Sequence, residues 1–383
     1  MRRIFHLADT HIGYSAYRRL DEATGLNQRE VDTYDAFRQF VDYTIEKKPD
    51  LIVHAGDLFD SVRPTNRAIS FVLNQLLRLS KAGIPFVVIA GNHETPRLKE
   101  TGSVFSLFEH IPHVHAVYGN KYELVELDDL SVHAIPHCDD IAGEKERMRL
   151  SNNDNGSSTR FKIALLHASV YGAGKQMFLM DEFNEQLISI HDLTDFDYLA
   201  LGHYHGYTRI RDEAYYAGST ERFSFSEVKE AKGFLEVILK GEGEREVIFH
   251  ELSTRAMLDL EPVFCADLEE QEIRSAITQR IQDSNPRNKV VRLKVLDIPL
   301  AVYHSLDFDE LKRLTREAVH FEMKYEFMRD NEVLAAENPT FHSLRTEFEQ
   351  FMGKYPVSTK VDKARLKELG LRYMQEGERE DEE

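Results

Sequence analysis

Tryptophan is absent from the 383-residue chain, and cysteine occurs only as Cys138 and Cys265. Two distant cysteines build neither a disulfide framework nor a thiolate zinc site, and the usage suits a reducing cytosol. Long apolar runs are missing as well. No stretch approaches the roughly 20 residues of a membrane-spanning helix. The N-terminus reaches Asp9 and His11 before a signal-peptide core could form, so a cytoplasmic chain with no membrane partner is expected. Positive charge is in deficit. Lys and Arg number 48 against 66 Asp and Glu, a net charge of −18 that excludes coating of nucleic acid by bulk electrostatics. It does not exclude an enzyme that holds phosphate through metal ions and local basic patches. What the chain does have is a 42% hydrophobic content, ample for two or three packed domains, and 17 histidines, several in short patterned clusters.

Phe86-Val-Val-Ile-Ala90 has the length of a buried strand and stops abruptly at Gly91-Asn92-His93-Glu94. Alone, that ending is most simply a polar strand-to-helix turn. Other segments end in the same way. Ile4–Ala8 runs into Asp9-Thr10-His11, and Leu51–Ala55 into Gly56-Asp57-Leu58-Phe59-Asp60. Phe161–Leu166 runs into His167, and Asp197–Leu201 into Gly202-His203-Tyr204-His205. Between the first three strands, Val31, Tyr34, Phe37, Phe40, Val41 and Ile45 mark a helix over 29–47, and Pro64 is placed to open another that runs to about Lys81. This strand and helix rhythm predicts an α/β fold with a parallel sheet, whose strand ends converge on one edge. The second helix and the segment 104–111 carry more apolar residues than sheet packing needs, which suits either a wide core or a dimer interface.

Further strands are expected at 114–118, 122–127, 131–135, 207–217 and 233–250, with a surface loop at 151–160. Composition changes near residue 255. Asp267 and Asp307 fit helix-start caps, and Val290–Leu296 and Phe321–Phe327 alternate as strands. The expected organisation is an α/β domain over 1–254, a small α/β domain over 255–328, a linker over 329–340 and a helical tail over 341–383. In that tail Phe341, Leu344, Phe348, Phe351 and Met352 mark one helix, and Leu366, Leu369 and Tyr373 another. Two amphipathic helices outside a core suit docking of another protein or plain packing about equally.

Asp9, His11, Asp57, Asn92, His93, His167, His203 and His205 offer nitrogen and oxygen but no sulfur. Such a set favours Mn²⁺, Fe²⁺ or Zn²⁺, and it exceeds the needs of one ion. Two ions roughly 3.5–4 Å apart would share a bridging carboxylate and clamp the attacking and leaving oxygens of a phosphoryl transfer. Asp57, in the middle of the set, is the natural bridge. His6 and His54, inside strands, read as packed residues.

In this order, Asp9-x-His11, Gly56-Asp57-x-x-Asp60, Gly91-Asn92-His93-Glu94, His167 and Gly202-His203-x-His205 resemble the calcineurin-like metallophosphoesterase superfamily. Within it, Asp9–Gly13, Ala55–Pro64, Tyr216–Ser219 with Arg222, and Lys232-Gly233-Phe234 resemble the nuclease subunits of the double-strand-break repair complex. The resemblance covers the first 250 residues, and the compact layout is that of archaeal members. It implies a metallophosphoesterase sandwich, a small capping domain that binds DNA, and a C-terminal helical region that binds an SMC-like repair ATPase. It also implies a homodimer with single-strand endonuclease and double-strand exonuclease activity. Two Mn²⁺ ions per chain are implied, with Fe²⁺, Zn²⁺ or Mg²⁺ as alternatives. Asp9, His11 and His205 would hold one ion and Asn92, His167 and His203 the other, with Asp57 between them. His93 would stabilise the transition state or protonate the leaving oxygen. Asp60 departs from many relatives, which carry His there. The competing function is a phosphatase or cyclic-nucleotide phosphodiesterase acting on small substrates with the same metal core.

Overall fold

A computed structural model describes residues 1–96, 102–153, 159–172, 185–241, 243–328, 348, 352 and 363–380, with the side chains of 374–380 left out of the description. The chain divides into two compact units, Met1–Glu326 and Phe327–Glu383. In the first, the strands in chain order are β1 (Arg2–Leu7), β2 (Leu51–His54), β3 (Phe86–Ile89), β4 (Val114–Val117) and β5 (Glu123–Leu127). They continue with β6 (Leu130–Ile135), β7 (Phe161–His167), β8 (Ser169–Tyr171), β9 (Leu187–Ser189) and β10 (Tyr198–Gly202). After these come β11 (Thr208–Arg209), β12 (Ala214–Tyr216), β13 (Gly233–Gly241) and β14 (Glu244–Glu251).

Twelve of these strands form two six-stranded sheets, ordered β14-β13-β1-β2-β3-β4 and β11-β12-β10-β7-β6-β5. The parallel pairing expected of the first three strands holds, within a pair of mixed sheets. β1 to β4 run parallel and are flanked by antiparallel β13 and β14. In the second sheet β6, β7, β10 and β12 run parallel, with β5 and β11 antiparallel at its edges.

Side chains alternate across each strand, so every central strand feeds two cores. Ile4, Leu51, Val53, Val87 and Ile89 point to Val132, Ile163, Leu165, Tyr198 and Ala200 of the second sheet. Phe5, Ile52, Phe86 and Val88 point the other way, onto α1 (Gln28–Lys47) and α2 (Asn66–Lys81) through Phe37, Phe40, Val72 and Leu76. The outer face of the second sheet is covered by Met148 of α3 (Ile141–Asn153), Ile190 and Leu193. The result is a four-layered sandwich. Burial on both faces is why these strands read as unbroken apolar runs.

Local differences have local causes. Thr65 caps α2 by accepting from the Ala68 amide at 3.2 Å, so Pro64 precedes the cap instead of opening the helix. The expected loop from 151 begins later because α3 extends to Asn153, and residues 154–158 lie outside the described set. The segment 104–110 is a 3₁₀ helix with Phe105 and Phe108 buried and Leu107 exposed.

From residue 257 the chain forms a separate sheet, in which β17 (Val290–Ile298) pairs with β15 (Met257–Asp259), β16 (Val263–Phe264) and β18 (His320–Phe327). Against it pack α4 (Glu270–Ser284) and two short helices, α5 (Leu300–His304) and α6 (Phe308–Thr315). Asp307 caps α6 as expected, accepting from the Glu310 amide at 2.9 Å. At α4 the cap is Glu269, two residues beyond Asp267, with its amide bonded to Glu272 at 2.9 Å. In the second unit α7 (Lys363–Glu380) is described, whereas Phe341, Leu344, Phe351 and the expected linker 329–340 lie outside the described residues.

Two buried histidines bind the sandwich in their neutral form. His6 Nδ1 lies 2.9 Å from the Tyr198 hydroxyl across the two sheets, and His133 Nδ1 lies 3.0 Å from that of Tyr122. Burial drives the imidazole of His6 down to about 3 and that of His133 to about 4. An unfolded histidine titrates near pH 6.5, so the unfolded chain takes up these protons first on acidification. The stabilisation is therefore complete above about pH 6.5 and is lost at up to about 1.4 kcal/mol per pH unit and group as pH falls through that window. Thermal unfolding of the metal-free protein should show a midpoint that drops between pH 6.5 and 4, with a shallower slope for His133→Gln. An unchanged slope in that variant would mean that His133 titrates in the native state as it does in the unfolded chain.

Candidate metal centre

The parallel pairing of β1 with β2 does not stop where the strands do. Asp9 N donates to Gly56 O at 3.0 Å, His11 N to Asp57 O at 3.0 Å and Ile12 N to Leu58 O at 2.9 Å, zippering the two loops together. Thr10 Oγ1 adds a bond to Leu58 O at 3.0 Å and lies 3.1 Å from His54 Nε2. The loops bend sharply to do this. Asp9 (φ 51°), His11 (φ 43°) and Asp57 (φ 53°) all adopt the left-handed region, as does His203 with φ 92°. Non-glycine residues rarely do so, and such strain concentrates where side chains must be aimed. The third loop is tied to the second by Glu94, a fully buried carboxylate that accepts from Phe59 N at 2.7 Å and Gly91 N at 2.9 Å.

These three loops come from the first sheet, while His167, His203 and His205 come from β7 and β10 of the second. The two sets meet because the sheets approach backbone to backbone at this end. A Cβ on Gly202 would collide with the carbonyl oxygen of Ala55, and one on Gly56 would strike His167 Nδ1; between loops of the first sheet, one on Gly91 would strike the Asp57 carboxylate and lie 2.5 Å from its nitrogen. Only glycine permits that approach.

All eight expected residues lie together. Asp9, His11 and His205 form one group of donor atoms within 4.8 Å of one another, and Asp9, Asp57 and His167 form another. His11, Asp57 and His93 make a third. Asn92 Oδ1 lies 2.8 Å from His167 Nε2 and 3.2 Å from His203 Nδ1. Asp9 also accepts from the His203 amide at 3.0 Å.

The hydrogen bonds behind the rings decide what stands in front of them. His167 Nδ1 faces the Ala55 carbonyl at 2.7 Å, so that nitrogen carries the hydrogen. The opposite Nε2 then presents a lone pair to two oxygens, Asn92 Oδ1 at 2.8 Å and Asp57 Oδ2 at 3.3 Å. His205 Nδ1 lies 3.2 Å from Glu227 Oε1, and its Nε2 lies 3.2 Å from His11 Nε2. At His167 a lone pair thus faces oxygen acceptors, an arrangement that requires either a proton or a cation between them. Burial opposes charge on His167, yet Asp57 and Asp9 more than reverse that and lift it to about 10. Asp57, despite its own burial, is held well below the usual carboxylate range by His167, His11 and His93. A donor set of this kind, without sulfur and with the outer nitrogens of His167 and His205 already engaged, fits divalent transition metals.

Residues outside the expected set complete the centre. Glu94 stands in the Gly91–Glu94 motif and Lys232 in the Lys232-Gly233-Phe234 motif, whereas Glu185, Glu227 and Phe223 carry no signal in spacing. Glu185 Oε1 lies 3.3 Å from His203 Nε2. The ring of Phe223 stands 4.7 Å from that of His11 and 5.4 Å from that of His205. Asp60 sits at the rim. Its carbonyl accepts from His93 Nδ1 at 3.0 Å, and its Oδ1 lies 3.4 Å from His11 Nδ1. His6 and His54 are fully buried within their strands.

Gly91→Ala should push Asp57 away from its partners and sharply weaken divalent-ion binding in calorimetric titration. Ion binding as tight as in the parent would contradict the steric account.

A family model described as calcineurin-like phosphoesterase matches residues 2–207, the stretch that carries all eight residues of the cluster. The DNA double-strand break repair protein Mre11 of Methanococcus maripaludis is 33% identical over 241 residues, covering 59% of this chain and 59% of that one. The protein of the same name from Sulfurisphaera tokodaii is 34% identical over 210 residues, covering 53% and 49%. That from Methanosarcina acetivorans is 30% identical over 292 residues, covering 73% and 44%. The chain thus spans between about two fifths and three fifths of the length of these relatives. With more than half of its residues matched by the family model, and with the metal-capable cluster inside the matched stretch, the chain belongs to the calcineurin-like phosphoesterases.

Proposed function

We propose that this chain is a metal-dependent DNA nuclease that processes ends in double-strand-break repair by hydrolysing phosphodiesters at a two-ion centre. The observation that carries the chemistry is the His167 lone pair facing the oxygens of Asn92 and Asp57, beside the donor group of Asp9, His11 and His205. The likeness to the Mre11 relatives supports DNA as the substrate.

In this reading Asp9, His11 and His205 hold one ion, Asn92, His167 and His203 the other, and Asp57 lies between. Mn²⁺ is the preferred metal, with Fe²⁺, Zn²⁺ or Mg²⁺ as substitutes. Bound there, the ions supply Lewis acidity at phosphoryl oxygens and a water acidic enough to ionise near neutral pH. The chain supplies the rest. Glu94, Ala55 and Glu227 fix the loops and rings, which keeps the donors in place before any substrate arrives. His93, with its Nδ1–H held by the Asp60 carbonyl, presents Nε2 to the reacting groups, and as the imidazolium it would hand the Nε2 proton to the leaving oxygen and return to the neutral ring.

Partners follow the same logic. Leu77 of α2 and Leu107 are 41% and 44% exposed, which supports a homodimer through this apolar face. On α7, Leu366, Leu369 and Tyr373 are 43%, 41% and 60% exposed, which supports docking of an SMC-like repair ATPase on the C-terminal helices. Among the described residues no helix is long and apolar enough to cross a membrane. A cytoplasmic, nucleoid-associated protein is proposed. Arg18, Arg19 and Arg63 are the described basic residues near the loops that suit a DNA backbone, whereas Arg67 is paired with Glu30 at 3.3 Å. Arg97 and Lys99 lie outside the described residues.

The test is one Mn²⁺ panel of linear duplex DNA, single-stranded DNA and a small aryl phosphodiester. Cleavage of both DNAs is expected. Cleavage of the small ester alone, even with the ATPase added, would instead favour the phosphatase or cyclic-nucleotide phosphodiesterase. His93→Asn should retain both ions while losing about 10²–10⁴-fold in rate. Loss of an ion in that variant would make His93 a ligand.

A further inference from the structure

Lys232 is fully buried, an uncommon fate for lysine unless each ammonium hydrogen is engaged. Its Nζ lies 2.9 Å from the carbonyl oxygen of His205, 2.7 Å from Glu227 Oε2 and 2.7 Å from Glu230 Oε2. Three donors thus meet three oxygens. Two of those oxygens belong to the surroundings of one residue: the backbone of His205, and the carboxylate whose other oxygen faces His205 Nδ1 at 3.2 Å. Glu227 is itself braced, by Ser224 Oγ at 3.2 Å from Oε1 and by the Phe223 amide at 3.3 Å from Oε2. His203 and His167 are supported differently, by Glu185 and by the Ala55 carbonyl.

We infer that Lys232 and Glu227 form a positioning bracket for a single ligand, His205, fixing both its backbone and its ring so that Nε2 faces the ion shared with Asp9 and His11. The inference rests on the two-ion reading above. A lysine present only to fill space would have no reason to bridge the main chain and the ring partner of the same histidine. Glu230 pairs with the same ammonium, and Glu227 rather than Glu230 is the carboxylate bonded to the His205 ring, so the two carboxylates separate the positioning role from simple charge pairing.

The consequence is selective for one ion. In calorimetric titration of the metal-free full chain with Mn²⁺, the parent should take up two ions. Glu227→Gln and Lys232→Met should leave one of them at parental affinity and weaken the other by about 10–100-fold, the usual effect of losing a partner behind a ligating histidine. Glu230→Gln should leave both unchanged. Circular dichroism of each metal-free variant identifies any that fails to fold, and Glu227→Gln, nearly isosteric, keeps the test open if Lys232→Met does not fold. Fewer than two ions in the parent would overturn the two-ion reading and this inference with it. Two ions in the parent, with both sites weakened equally in Glu227→Gln or neither weakened, would overturn the positioning role alone.

Discussion

Everything in the centre depends on how closely the two sheets approach at one end. Beyond β2 the Ala55 carbonyl lies where a side chain on Gly202 of β10 would otherwise sit, and the same carbonyl accepts from His167 Nδ1 at 2.7 Å. That contact brings the loops after β1, β2 and β3 against the ends of β7 and β10. Without it, five apolar strands would still pack, but their polar endings would face water separately. The small residues at the junction, Ala8, Ala55, Gly56 and Gly202, therefore matter as much as the polar cluster they bring together.

The second consequence is electrostatic. Carboxylates, an amide oxygen and imidazole lone pairs are gathered in a buried volume where their mutual repulsion is poorly screened. A folded chain tolerates this only with a compensating positive charge. Protons can serve, as the raised affinity of His167 for a proton indicates. Divalent cations serve better, since each neutralises several donors at once. The strained backbone at Asp9, His11, Asp57 and His203 belongs to the same account: stability is given up locally so that these groups point inward.

Much of this was legible in the amino-acid order because two periodic signals coincide. Doubly buried strands leave uninterrupted apolar runs, and Asp9, Asp57, Asn92, His167 and His203 stand immediately after such runs. Helix α1 was equally clear from Val31, Phe37, Phe40 and Val41. What was illegible is set by tertiary geometry. Spacing cannot tell one parallel sheet with converging ends from two sheets meeting end to end, since both give the same runs. Glu94, Glu185, Glu227 and Lys232 work through distances formed only on folding, and a lone Glu or Lys in a polar stretch reads as surface. Helix α3 was missed because its apolar positions are sparse: Met148 is buried and Leu150 is 58% exposed. The helix start at Glu269 shifted from Asp267 because several acidic residues in a row offer competing caps.

In the function proposed, Asp57 lies between two ions held by one cluster of side chains. Electron paramagnetic resonance of the metal-free chain titrated with Mn²⁺ should then show two ions per chain with the spectrum of an exchange-coupled pair, and loss of that coupling in Asp57→Asn. A single ion per chain with an uncoupled hyperfine pattern at saturation would contradict that reading.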